Sequence, residues 1–459
     1  MIHKYFMNGL YIVIDVNSGA IHEVDELVFS ILDFYKEHRI EEIQEKLIDR
    51  FNKEDIDEAY AELCQLEQRG LLFSEDSHEE ISNKLSERGA VVKALCFHIA
   101  HDCNLRCEYC FAKDGGYGGD KEFMSLDVGK AAIDFLITNS GARRNLEVDF
   151  FGGEPLMNFD VVKEIVEYGN ERAAQREKEF RFTLTTNGVL LDDEKTRYIN
   201  EKMSNVVLSI DGRKEVNDKM RKNAGGGGTY DTLVPKFKRL AEGRGQANYY
   251  VRGTFTRENL DFCEDIFHLH GLGFEKISIE PAANLDSEEL AIREEDLERI
   301  YTEYERLALR ILEYRKEGKP IEFFHYNIDL SGGPCAIKRV VGCGAGTEYL
   351  AVTPSGELYP CHQFVGHEQF SMGNVFDGVD RADIRADFET SNLYTKEKCK
   401  ACFAKFYCGG GCAADGFLEN KDINEPGLIS CALEKKRVEC ALMIKVAERE
   451  VSTKNNSLP

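Results

Sequence analysis

Between residues 94 and 316 the sequence switches period again and again. Short apolar runs, ALCFHIA (94–100), LEVDFFG (146–152), FTLTT (182–186), VVLSID (206–211), YYVRGTF (249–255) and KISIEP (276–281), alternate with amphipathic stretches near 126–139, 160–177, 192–202, 232–241, 260–270 and 293–316. The runs have strand length, and the stretches repeat their apolar residues at helical spacing. Six such β–α units restrict the chain to a parallel sheet with crossover helices, open or curled into a partial (β/α)6 barrel of TIM type. Side chains that do chemistry in such α/β sheets gather at the carboxyl ends of the strands. The motifs of this chain fall there.

The flanks follow other rules. Residues 1–74 read as a winged-helix-like unit: LYIVID (10–15) and AIHEV (20–24) as strands joined at Asn17, Ser18 and Gly19, then helices after Asp25, near 40–50 and near 54–69. LLFS (71–74) is expected to return as a strand. Residues 75–90 are polar and read as a linker, 91–320 as the β–α body and 321–459 as a cysteine-rich unit closed by a helix near 432–450.

Composition narrows the function. A net charge of −24 disfavours nucleic acid as the main partner. No apolar run is long enough to cross a membrane, and the N-terminus lacks the features of a secretory signal. The expectation is a cytoplasmic protein with reduced thiols, so that 15 cysteines point first to metal.

CNLRCEYC sets Cys103, Cys107 and Cys110 in one loop after the first strand of the body. Three soft thiolates suit zinc or an iron–sulfur cluster. Zinc wants a fourth ligand, and His98 and His101 are near in sequence; a four-iron cluster held by three thiolates leaves one iron open. The spacing alone leaves both readings standing.

This loop resembles the C-x3-C-x2-C signature of radical S-adenosylmethionine (SAM) enzymes, with Tyr109 before the last cysteine. FFGGEP (150–155) resembles their glycine-rich segment, whose backbone holds the SAM amino group. The resemblance implies cofactor roles for Gly152, Gly153 and Glu154. TTNG (185–188) follows at the next strand end, and ISIEP (277–281) resembles the strand that passes the adenine. In LSIDG (208–212), Ser209 and Asp211 resemble ribose-side residues, and Arg221 matches an arginine that pairs with the SAM carboxylate.

Cys343, Cys361, Cys399, Cys402, Cys408, Cys412 and Cys431 form a second array, for which zinc ribbons and two clusters are both open on spacing. The array resembles the SPASM domain of peptide-modifying radical SAM enzymes. That resemblance implies an outer auxiliary cluster on Cys399, Cys402, Cys408 and Cys431, and an inner one on Cys343, Cys361 and Cys412. Either Cys335 completes the inner set, or its fourth iron is open to a substrate thiolate. With the loop cluster this makes three 4Fe-4S clusters. His362 stands where sulfatase-maturating relatives carry an aspartate base, and the catalytic base is left unassigned. Cys64, Cys96, Cys263 and Cys440 read as small buried hydrophobes.

Residues 1–74 resemble the leader-peptide recognition element of ribosomal-peptide maturases, which binds by β-augmentation. Over the full chain the resemblance is to SCIFF-type maturases. It implies a cysteine-rich ribosomal precursor peptide as substrate, thioether crosslinks as product and a flavodoxin or ferredoxin as electron donor, with no nucleic acid or membrane partner. Another radical SAM peptide modification, such as formylglycine or a carbon–carbon crosslink, is the alternative, and a non-enzymatic zinc-binding regulator is the other.

Overall fold

The computed structural model describes residues 1–80, 91–283, 287–330 and 339–456. Strands β1 (Ile2–Met7), β2 (Leu10–Asp15) and β3 (Ile21–Val24) form an antiparallel sheet in that order. Helices α1 (Glu26–Ile31), α2 (Ile40–Leu47) and α3 (Lys53–Gln68) follow. The Asp25 side chain caps α1 by accepting the Val28 N–H at 2.8 Å. Ile31, Ile43, Ile56 and Leu63 make the core of this unit. Residues 71–74 form no strand. The N–H and the hydroxyl of Ser74 both donate to the Asp15 carboxylate, and Phe73 sits at φ 51°, so the segment is spent on closing the β2 turn.

This unit is fastened to the cysteine-rich segment. His3 stacks on Phe403 with ring centroids 3.6 Å apart, and the Tyr5 hydroxyl donates to the Glu439 carbonyl at 2.9 Å. Asp76 accepts from the buried Lys405 ammonium at 2.6 Å and from the Tyr394 hydroxyl at 2.9 Å. Burial alone would raise the Asp76 carboxyl; hydrogen bonds from Lys405, the His78 N–H and Tyr394 outweigh it and hold the group below its ordinary value. A depressed carboxylate contributes stability above its unfolded pKa and loses it as pH falls through the folded one. Asp76→Ala is therefore expected to cost about 3 kcal/mol at neutral pH, since it strands a buried ammonium. The gap should close as pH drops below about 4, as urea unfolding of the two proteins at several pH values would show.

The body is one nine-stranded sheet. Its strands are β4 (Ala94–Ala100), β5 (Asn145–Gly152), β6 (Glu179–Thr186), β7 (Asn205–Ser209), β8 (Tyr249–Phe255) and β9 (Lys276–Pro281), then β10 (Glu322–Phe323), β11 (Tyr349–Val352) and β12 (Leu358–Tyr359). The spatial order is β10-β9-β8-β7-β6-β5-β4-β11-β12, and every pair is parallel except β11 with β12. The seven strands β4 to β10 thus keep their sequence order and offer no switch point among them, which leaves their shared carboxyl end as the place for a site. The strand expected over 206–211 stops at Ser209, and Asp211 lies in the turn beyond it.

Helices α4 (Leu126–Asn139), α5 (Phe159–Ala174), α6 (Asp193–Lys202), α7 (Lys214–Met220), α8 (Tyr230–Gly243), α9 (Phe262–Gly271) and α10 (Leu297–Lys316) complete the units. Phe97, Phe150, Phe182 and Leu208 fill the layer beneath them. β11 and β12 come from the cysteine-rich segment, so that segment and the body share a sheet. Beyond them are α11 (Ala382–Thr390), α12 (Glu397–Lys400), α13 (Lys405–Cys408), α14 (Ala413–Asn420) and α15 (Leu428–Asn456). Among the described residues no helix is long and apolar enough to cross a membrane.

Candidate functional site

A cavity of about 230 Å3 opens at the carboxyl ends of β5 to β9. Cys103, Cys107 and Cys110 line it from the loop after β4. That strand loses register with β5 between His98 and Ala100, just before the loop begins. Leu105–Cys107 pairs antiparallel with Arg221–Asn223, which sets Cys107 opposite Arg221. The Leu105 N–H donates to the Cys103 sulfur at 3.4 Å. Burial pushes the thiol of Cys103 up to about 11 and that of Cys107 up to about 12, while Arg221 pulls both down. Left alone these groups are neutral thiols; as thiolates they need positive charge beside them.

The glycines hold this loop. Gly153 donates its N–H to the Ala100 carbonyl at 2.7 Å, and the Glu154 N–H reaches the Asp102 carbonyl at 3.0 Å. A Cβ on Gly152 would come within 2.5 Å of the Ala100 oxygen, and one on Gly153 within 2.0 Å of the Asp102 oxygen. Both residues line the cavity, and both press against the entrance of the cysteine loop. Glu154 is 1% exposed. Its carboxylate accepts the Leu156 N–H at 3.0 Å, the Thr186 hydroxyl at 2.7 Å and the Asn187 N–H at 2.8 Å. It braces β5 against β6, a role for Thr186 and Asn187 that the sequence reading did not assign. The Asn187 amide in turn reaches Asn104 at 2.7 Å.

Tyr109, Arg221 and Asp211 form a second brace. The Tyr109 hydroxyl lies 2.8 Å from each Asp211 oxygen, and Arg221 Nη1 donates to that hydroxyl at 2.7 Å. Asp211 also accepts the Thr254 N–H at 3.1 Å. Burial pushes Asp211 up to about 6, against the pull of Arg221 and Tyr109. Asp211 is fully buried behind the wall; Ser209, Tyr109 and Arg221 line the cavity itself. Arg221 Nε is buried without a partner. An orphaned guanidinium donor at a cavity wall fits an anionic ligand group, and a carboxylate suits it best.

The far wall carries polar groups that the strand motifs did not announce. Arg252, in the middle of β8, and Glu280, near the end of β9, pair at 2.7 Å, with His325 at 3.8 Å from Glu280. Burial would raise Glu280, but Arg252 outweighs it and holds the carboxyl at about 2. The available signal was Arg252 within the run YYVRGTF and Glu280 near the end of KISIEP. His362 also lines the cavity and packs on Phe151 at 5.1 Å and Phe111 at 5.9 Å. Burial, helped by Arg252, lowers it to about 4, so its imidazole is neutral at pH 7.

The remaining thiols fall into two neighbourhoods. Cys361 is raised by burial and by Cys412 and Cys343, and Cys412 by burial with Cys343 among its neighbours. Cys408 is raised by burial with Cys431 and Cys402 close by, and Cys431 by burial with Cys399 and Cys402. Cys335 lies outside the described residues. Cys96, Cys263 and Cys440 are buried, and Cys64 is half-buried under the Tyr35 hydroxyl. His98 and His101 do not turn toward the three-cysteine loop as zinc ligands; their rings meet each other at 3.0 Å beside Tyr117. Among the described residues no three His, Cys, Asp or Glu side chains converge to hold a single metal ion. The donor sets are all thiol, which fits iron–sulfur clusters, and the orphaned Arg221 donor beside Cys107 fits a charged cofactor next to one.

Residues 98–269 match the family model described as Radical SAM superfamily. The mycofactocin maturase MftC of Mycolicibacterium smegmatis is 26% identical over 364 residues, covering 75% of this chain and 85% of that protein. The structure of anSMEcpe with bound AdoMet superposes with a TM-score of 0.65 at 19% identity, covering 80% of this chain and 96% of that one. Streptococcus suis SuiB bound to its precursor peptide SuiA gives a TM-score of 0.52 at 18% identity over 94% of this chain and 98% of that one.

Proposed function

We propose, from the premise that residues 98–269 form a radical SAM domain, that this chain is a peptide maturase that joins cysteine sulfur to carbon within a ribosomally made, cysteine-rich peptide. The observation that supports the reading most is that one cavity is bounded both by Cys103, Cys107 and Cys110 and by His362, the neighbour of Cys361. A radical cofactor on one side and a sulfur-holding centre on the other would face the same small volume. The maturase relatives, and a structural neighbour that carries its precursor peptide, support a peptide as substrate.

In this reading Cys103, Cys107 and Cys110 hold a 4Fe-4S cluster. Gly152, Gly153 and Glu154 shape the seat of the SAM amino group, Ser209 faces the ribose, and Arg221 takes the carboxylate. Tyr109 and Asp211 keep Arg221 in place. Once bound, the cluster and SAM supply one-electron cleavage and hydrogen abstraction. The protein orients the peptide and keeps water out. Cys343, Cys361 and Cys412 would hold an inner auxiliary cluster, and Cys399, Cys402, Cys408 and Cys431 an outer one. Each thioether would remove one hydrogen atom from carbon, one proton from sulfur and one electron, and clusters held by the auxiliary thiols would supply the acceptor for that electron. The N-terminal sheet would take the leader as an added strand, and a flavodoxin or ferredoxin would supply the first electron.

The test is anaerobic turnover of a cysteine-rich precursor peptide with SAM and a low-potential reductant. The expected product loses two hydrogens and one alkylatable thiol per crosslink. A loss of two hydrogens with every thiol still alkylatable would mean a carbon–carbon bond instead. No 5′-deoxyadenosine with any peptide would remove the radical reading.

A further inference from the structure

The two thiol neighbourhoods of the cysteine-rich segment share one buried cation. Lys396 is 5% exposed. Among the described residues no carboxylate pairs with it; its ammonium donates to the Gly410 carbonyl at 3.0 Å. Lys405, the other buried lysine of this segment, has Asp76 as its counter-ion. A buried ammonium with one carbonyl partner is costly unless negative charge lies near. The groups that act on the charge of Lys396 are thiols. Burial lowers its pKa, and Cys399, Cys412, Cys408 and Cys431 pull it back up. Cys399 responds in kind: burial pushes it to about 11, and Lys396 is the first group that pulls it down.

The backbone is arranged around this contact. Gly409, Gly410 and Gly411 sit at φ 78°, 94° and 74°, a left-handed run that only glycine enters freely. They carry the chain from Cys408, in one neighbourhood, to Cys412, in the other. The Gly410 carbonyl at the middle of that bridge is the one that Lys396 holds. The Lys396 carbonyl, for its part, accepts the Cys399 N–H at 2.9 Å.

We propose that Lys396 is a positioning residue whose fixed positive charge, set between the two auxiliary thiol groups, raises the reduction potential of the clusters they hold. The inference rests on the cluster reading given under the proposed function. Reduction adds a negative charge to a cluster, so a nearby buried cation stabilises the reduced form more than the oxidised form. An electron released at the cavity would then be drawn outward through these centres.

The experiment uses the full chain carrying Cys103, Cys107 and Cys110→Ala, so that only the auxiliary sites hold iron, with Lys396→Met or Lys396→Arg added. Iron and sulfide are counted first, and a spectroscopic redox titration follows. The expected result is unchanged iron in both, with the Lys396→Met midpoint lowered by at least a tenfold shift in the oxidised-to-reduced ratio, about 59 mV for one electron. Lys396→Arg should lie closer to the parent. Loss of iron in Lys396→Met alone would make Lys396 a residue that holds the clusters rather than one that sets their potential, and would overturn the proposal. An unchanged midpoint in Lys396→Met, or loss of iron in both variants, would overturn it. No iron in the parent would instead overturn the cluster reading itself.

Discussion

An Arg221→Met variant is expected to bind SAM about a hundredfold more weakly than the parent while keeping its clusters. Arg221 is 7% exposed, and its Nη1 is committed to Tyr109, but its Nε has no partner in the protein. A forked, charge-assisted pairing with a carboxylate is worth about 3 kcal/mol, or roughly two powers of ten in affinity. Lysine keeps the charge without the planar fork, so Arg221→Lys should recover only part of the loss. Tyr109→Phe should weaken binding less, because it releases Arg221 without removing it. Equilibrium dialysis on reconstituted protein reads all three. Unchanged SAM affinity in Arg221→Met would detach Arg221 from the carboxylate. Asp211 gives an internal check: burial already holds it at about 6 with Arg221 beside it, so taking the cation away should raise it further and cost stability at neutral pH. The parent and variant should converge as pH falls and Asp211 takes up its proton in both.

Gly153→Ala is expected to abolish SAM cleavage altogether. The new methyl would stand 2.0 Å from the Asp102 oxygen and 2.5 Å from the Asp102 carbonyl carbon. These are backbone atoms and cannot rotate away. Asp102 directly precedes Cys103, so relief must come from moving the cysteine loop outward. Overpacking of this kind typically costs about 1–3 kcal/mol, which a body of this size survives. The loss should therefore be local: about four irons fewer per chain, with the auxiliary iron retained. Gly271→Ala is the control, because nothing lies within 4 Å of a Cβ there and its backbone is already helical. Full cluster content and full SAM cleavage in Gly153→Ala would mean that the glycine contact does not set the loop.

What the sequence announced and what it hid divide along physical lines. Tyr249–Phe255 and Lys276–Pro281 have the bounds that their apolar runs suggest, and so does the helix Leu126–Asn139. A buried face that repeats at the strand or helix period writes such elements into local composition. β1 went unread, although Asn8-Gly9 marks the two-residue hairpin turn that joins it to β2. β11 and β12 are too short to show a period, and their place in the sheet depends on pairing with a strand some 250 residues earlier. The thiols and glycines of the site were legible because few residue types can do their work. The braces were not. Glu154 with Thr186, Tyr109 with Asp211 and Lys396 with the Gly410 carbonyl join positions apart in the sequence, and no motif announces the pairing. Serine and aspartate in LSIDG seemed equivalent in sequence; only the fold separates Ser209 on the cavity wall from Asp211 behind it.

The most direct test of the account is the iron and sulfide content of the anaerobically reconstituted chain beside its Cys103/Cys107/Cys110→Ala variant. The account predicts about twelve irons with matching sulfide in the parent and about eight in the variant, with SAM cleavage lost. Zinc without sulfide, or the same iron content in both proteins, would contradict it.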